Sequence, residues 1–135
     1  MNSETRECLT KAGWYEGRKA DITDILQDIK NAGYIIFDEY VKFMEEFSEL
    51  VVIKEYEFMG KLKKKEFTTC LEDLDEFYDF ETGLVWRKDI NEKVIPVAIA
   101  YNGEFGILIS ESGRFYNDRG LYAECAEQLW DTLLG

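Results

Sequence analysis

Histidine is absent from this 135-residue chain. With it goes the side chain that most often serves as acid, base or metal ligand near neutral pH. No Cys/His or Ser/His pairing is available, and neither Gly-x-Ser-x-Gly nor a phosphate-loop pattern occurs. Cysteine is sparse and unpatterned: Cys8, Cys70 and Cys125 are an odd number, far apart, with no Cys-x-x-Cys pair. That spacing argues against a disulfide framework or a zinc site, whose ligands cluster at short intervals. Pro96 is the lone proline, and no Ser/Gly/Pro-rich linker or internal repeat divides the chain. Residues 1–135 therefore read as one domain. No apolar run approaches the roughly 18 residues of a membrane span. The N-terminal Met-Asn-Ser-Glu-Thr-Arg-Glu-Cys-Leu also lacks the apolar core of a signal peptide. The expectation is a cytoplasmic protein with no membrane partner.

Basic charge is scarce too, with 16 Lys and Arg against 28 Asp and Glu, a net charge of −12. Such a field repels nucleic acid and speeds encounter with cationic partners. It points to a binding protein with a basic protein target, although acidic surfaces also serve solubility alone. What is plentiful is apolar: hydrophobic residues are 46% and aromatics 15% of the chain. Disordered acidic chains lack aromatics, so this one is expected to bury a core.

The periodicity reads as helices, then strands, then a helix. Ser3 is the expected cap of a first helix ending at Gly13, with Trp14 folding back and Tyr15-Glu16-Gly17-Arg18 as a turn. Asp21 caps a second helix with Ile22, Ile25, Leu26 and Ile29 at i, i+3, i+4 and i+7, ended by Gly33. A third helix carries Phe37, Tyr40, Val41, Met44 and Phe47 opposite Asp38, Glu39, Lys42, Glu45, Glu46 and Glu49. Leu50 to Phe58 and Leu62 to Thr69 read as a hairpin around Met59-Gly60-Lys61. Glu72 to Glu81 reads as a loop or short helix. Val94 to Tyr101 and Phe105 to Ser110 are strands joined at Asn102-Gly103, the preferred type I′ dipeptide. Ser112-Gly113 leads into Arg114-Phe115-Tyr116. Pro96 belongs near a strand start or at an edge. A last helix is expected from Asp118 or Gly120, with Leu121, Tyr122, Cys125, Leu129, Trp130 and Leu133 on its apolar face. Two of the cysteines thus sit on apolar stripes as small hydrophobes. Consecutive strands with short turns imply an antiparallel sheet of five to six strands packed against N-terminal helices and a C-terminal helix, an α+β class.

Ala12-Gly13-Trp14-Tyr15-Glu16-Gly17-Arg18 is distinctive. Together with Phe43-Met44-Glu45-Glu46-Phe47-Ser48-Glu49-Leu50, the Ile107 to Gly113 strand and turn, and the closing Leu129 to Gly135, it resembles the SUKH superfamily, most closely its third bacterial subfamily. The resemblance spans nearly the whole chain. It implies an α+β immunity protein that binds the toxin domain encoded beside it, commonly a nuclease, with no catalytic motif to carry over. The superfamily also holds adaptors or regulators, so a non-enzymatic adaptor without toxin-neutralising role is the alternative. Ser48-Glu49 departs from the family pattern, which leads one to expect a glycine-rich turn. Gly13, Trp14 and Gly17 are explained by capping and turn geometry, and Arg18 by pairing with a nearby carboxylate; these residues are expected to hold the fold.

Asp73, Asp75, Asp79 and Glu81 fall at positions 1, 3, 7 and 9 of a calcium loop, but position 6 is Tyr78 and position 12 is Leu84. No metal or other cofactor is expected. Carboxylate pairs for glycosidase chemistry are too numerous to single one out. Lys61, Lys63, Lys64 and Lys65 on a strand guard an exposed edge, or meet the chain's own acids or an acidic rim on a partner. The best partner-binding candidate is Glu72, Asp73, Asp75, Glu76, Tyr78, Asp79 and Glu81. In residues 72 to 81 six acids stand with no base and three aromatics interleave. Acids answer a phosphate-binding surface, and aromatics supply anchor area; a solvated loop with aromatics turned inward fits as well. The outer face of the third helix is the second candidate. A ligand pocket around Trp14, Trp86 or Trp130 is a third, weaker possibility.

Overall fold

The computed structural model describes residues 1–70, 90–100, 105–117 and 119–134. Helix α1 (Ser3–Ala12) is capped by Asn2 rather than Ser3: the Asn2 side chain accepts the Thr5 N–H at 2.8 Å. Asparagine serves as well as serine in that role, which shifts the cap by one residue. At the other end Gly13, at φ 114°, donates its N–H to the Thr10 carbonyl, and Trp14 donates to the Leu9 carbonyl at 2.9 Å. This is the Schellman closure, and it needs the left-handed residue that glycine supplies. It turns Trp14 into the core, where its ring stacks 6.3 Å from Phe47.

Helix α2 (Thr23–Asn31) buries Ile25 and Ile29, with Ile22 just before it. The Asp21 carboxylate accepts both the Thr23 hydroxyl and the Thr23 N–H, which holds its pKa below the usual value. Helix α3 (Asp38–Phe47) buries Tyr40, Phe43, Met44 and Phe47. Phe43 completes a stripe at i, i+3, i+4 and i+7 that the sequence reading left without it. Phe37 precedes the helix and is half-buried, as is Val41.

Six strands form one antiparallel sheet in sequence order: β1 (Val51–Phe58), β2 (Lys61–Thr68), β3 (Val94–Ala100), β4 (Phe105–Ser110), β5 (Phe115–Asn117) and β6 (Gly120–Ala123). Helix α4 (Ala126–Leu134) closes the described chain. The class is α+β, as the strand and turn pattern implied. The core lies between the helices and the sheet, where Phe43, Phe47, Phe115 and Trp130 form an aromatic cluster. Asp131 on α4 accepts the Asn2 N–H at 2.9 Å, a bond that ties α1 to α4 and lowers the Asp131 pKa.

Four details refine what the sequence implies. Phe58 lies opposite Lys61, so the first hairpin turns on two residues, Met59 and Gly60, and not on three. Both have positive φ, 54° and 78°, as a type I′ turn requires. Methionine is costly there, because its Cβ crowds the carbonyl in the left-handed region. Met59→Asn is therefore expected to raise stability by about 0.5–1 kcal/mol, measured as a higher urea midpoint at unchanged slope.

Pro96 is the third residue of β3, near the strand's start as expected, although β3 is not an edge strand of the sheet. A register shift between Pro96 and Ala98 makes a bulge there, where a missing N–H is tolerated. The last helix starts at Ala126, because Gly120 to Ala123 pairs with β5 as an edge strand. Leu121, Tyr122, Cys125 and Leu129 imitate helical spacing across that junction. Cys125 is consequently exposed rather than on an apolar stripe. The last detail concerns α3's end. Glu49 takes φ 58°, the left-handed geometry for which a glycine was expected, so the turn keeps its shape with a glutamate in it.

Candidate functional site

The Gly13 to Arg18 run builds a brace against the end of α3. Gly17, at φ 82°, sits in the turn closed by the Arg18 N–H to the Tyr15 carbonyl. That turn delivers Arg18 to the C-terminus of α3, whose last turn holds no basic residue. The guanidinium donates to the Glu46 carbonyl at 2.7 Å and to the Ser48 carbonyl at 2.8 Å. The Ala20 N–H adds a bond to the Glu45 carbonyl at 2.8 Å. Carbonyls at a helix end lack intrahelical donors and carry partial negative charge, so a cation that forks across two of them satisfies both demands. Arg18 thus pairs with backbone carbonyls and not, as expected, with a carboxylate. The Trp14 indole N–H donates to the Glu46 carboxylate at 3.2 Å, and the Arg6 guanidinium lies 5.3 Å from the Trp14 ring.

These contacts recruit the acids of α3 into the fold. Glu46 holds Trp14, Glu45 lies 3.9 Å from Lys19, and Glu39 lies 3.7 Å from Lys42. The Glu39 carboxylate also packs on the Ser112-Gly113 turn, where a Cβ on Gly113 would come within 3.0 Å of it. Asp38 and Glu49 remain exposed. The outer face of α3 is therefore partly structural, which weakens it as a second binding candidate.

A polar cluster forms where β3 begins beside the β4–β5 turn. The Tyr116 hydroxyl donates to the Glu92 carboxylate at 3.1 Å, and the Ser110 and Ser112 hydroxyls lie 2.9 Å apart. Burial pushes the Glu92 pKa up, but hydrogen bonds from Ser112, Tyr116 and Ser110 outweigh it and leave the carboxyl below its usual value. The Tyr116 phenol is raised, by burial first and then by Glu92. A carboxylate stabilised this way is a weak base, and the cluster braces the turn. Among the described residues no group of three or more cysteine, aspartate or glutamate side chains is placed to hold a metal ion. No helix among them is long and apolar enough to cross a membrane.

A cleft of about 350 Å³ lies between α1 and β1, lined by charged side chains that include Glu4, Lys11, Lys54 and Glu55. A second, of about 170 Å³, runs beside α3 against Phe115 and Ala126. Neither is lined by Trp14 or Trp130, which are buried in the core.

The match to known families covers the whole chain: the family model of SUKH-3 immunity proteins aligns with residues 1–135. The chain belongs to the SUKH-3 immunity protein family. No match was found to a curated protein or to a solved structure. In this SUKH-3 protein the acidic and aromatic candidates Glu72, Asp73, Asp75, Glu76, Tyr78, Asp79 and Glu81 lie outside the described residues, as does Trp86. The Ala-Gly-Trp-x-x-Gly-Arg run, by contrast, is placed in full, and its SUKH-3 role on this geometry is to lock α1, the following turn and α3 together. What the sequence reading missed is on the first hairpin. Its lysines do not fall evenly over β2 but separate by face, a pattern that alternation along both strands would have disclosed.

Proposed function

We propose that this chain is a non-catalytic immunity protein that neutralises a cognate toxin domain, a nuclease, by binding it one-to-one in the cytoplasm. The observation that carries the reading is the SUKH-3 family match along residues 1–135. The net charge of −12 supports the polarity of the complex: a surface built to hold phosphates is basic, and an acidic inhibitor is steered toward it. The run Glu72, Asp73, Asp75, Glu76, Tyr78, Asp79 and Glu81 is the proposed contact, with carboxylates for attraction and an aromatic as anchor. A specific complex of this kind buries on the order of 800 Å² per partner.

The test is titration of the neighbouring toxin domain's activity with the purified protein, after co-expression and co-purification. Inhibition is expected to saturate near one equivalent. Joint charge reversal at Asp75, Glu76 and Asp79 is expected to weaken binding by at least about 100-fold, ~2.7 kcal/mol, most of it through slower association and greater salt sensitivity. Inhibition that never saturates near one equivalent overturns the mechanism. Unchanged affinity after all three reversals moves the contact off this segment.

A further inference from the structure

We propose that one face of the β1–β2 hairpin is a docking surface for an acidic polypeptide segment. The inference stands on the hairpin's register and does not depend on the toxin reading. Lys54, Tyr56 and Phe58 share a face with their cross-strand neighbours Lys65, Lys63 and Lys61. That face holds four lysines and two aromatics, and neither strand contributes an acid to it. The acids of the hairpin, Glu55, Glu57 and Glu66, all lie on the reverse face. On the reverse face Lys64 stands opposite Glu55, so the pleat separates the two signs except at that rung.

Nearer the sheet, the lysine face continues into the core through the buried pair Val52 and Phe67. Beyond that pair the hairpin projects outward. Phe58 is 56% exposed at its tip, and Lys61 and Lys63 are exposed beside it. The Lys65 ammonium lies 4.9 Å from the Tyr56 ring centre, and Lys54 reaches Glu4 of α1 at 2.7 Å. Lys54 and Lys65 are direct cross-strand neighbours. Glu4 meets the charge of Lys54, so the cations this face presents to solvent are those toward the tip, Lys61 and Lys63.

The size and setting of the patch choose its occupant. From the Lys54–Lys65 rung to the Phe58–Lys61 rung is four residues, about 13 Å. That is the span of a short extended peptide whose carboxylates meet the exposed Lys61 and Lys63 and whose apolar atoms cover Phe58 and Tyr56. A nucleic-acid duplex carries a charge about every 1.7 Å along its axis and runs on past the hairpin, over a body of net charge −12. A short acidic segment ends within the patch. The two-residue turn fixes the face in advance, so little ordering opposes binding.

The experiment is fluorescence anisotropy of a labelled polyglutamate peptide with the intact protein at low and physiological salt. Binding is expected, weaker at the higher salt. The double variant K61E/K63E is expected to bind at least about tenfold more weakly, ~1.4 kcal/mol, while E55K/E57K on the reverse face loses no affinity. Circular dichroism checks the fold of each, and K61Q/K63Q, which introduces no repulsion, is expected to weaken binding in the same direction. Equal binding by wild type and K61E/K63E overturns the proposal, as does equal weakening by the two faces. Tighter binding of labelled duplex DNA than of polyglutamate also overturns it.

Discussion

Trp130→Ala is expected to destabilise the protein by about 3–5 kcal/mol, the largest effect of any single truncation considered. Trp130 is fully buried on α4. Its ring stacks on Phe43 at 6.5 Å and tilts against Phe47 at 5.5 Å, and Phe43 in turn meets Phe115 at 5.3 Å. One side chain therefore joins α4 and α3, and through Phe43 reaches the sheet. Removing it leaves a cavity that three rigid rings cannot collapse to fill. The indole N–H has no hydrogen-bond partner among the described residues. Trp130→Phe removes that orphan donor, worth about 1–3 kcal/mol when buried, and keeps much of the contact. The phenylalanine variant is thus expected to lose less than half of what the alanine variant loses. Urea denaturation followed by far-ultraviolet circular dichroism measures both. A loss under about 1 kcal/mol for Trp130→Ala would show that α4 is not pinned through this residue.

Arg18→Ala is expected to cost about 2–4 kcal/mol, from two hydrogen bonds to a charged donor at about 1.5–3 kcal/mol each, less what solvent restores. The guanidinium answers the Glu46 and Ser48 carbonyls at once, and its loss strips the end of α3, where the last turn has no basic residue of its own. Lysine keeps the charge but has no planar fork. Arg18→Lys is therefore expected to recover the electrostatic part and about half of the loss. Full recovery by lysine would mean that charge alone, and not the paired geometry, holds the helix end. The Trp14 indole, bonded to Glu46, reports the change as a shift in fluorescence.

Much of this fold was legible where local chemistry decides conformation. Gly13 after a helical stripe implied the closure that buries Trp14. The isoleucines of α2 and the aromatics of α3 implied which faces turn inward. Alternation and turn dipeptides implied an antiparallel sheet. The failures share a cause. Leu121, Tyr122, Cys125 and Leu129 fit a helical stripe, and only pairing with β5 makes the first two a strand. Arg18 was correctly seen as structural, but its partners are backbone carbonyls brought close by tertiary folding. No local pattern names those.

The functional surface was less legible, for a different reason. Acids on α3 look alike in sequence whether they await a partner or hold Trp14, Lys19 and Lys42 at home. Only the packing separates these uses. The lysines of the first hairpin look like one basic run, and the strand register alone divides them.

The joint between β2 and β3 has a consequence for how the molecule assembles. Among the described residues a single rung, Thr68 opposite Ile99, links them, while β1–β2 and β3–β4 pair along their lengths. By numbering, 25 residues lie between Thr68 and Val94, and closing so long an interval is entropically slower than closing either hairpin. On that ground each hairpin is expected to form before the two join.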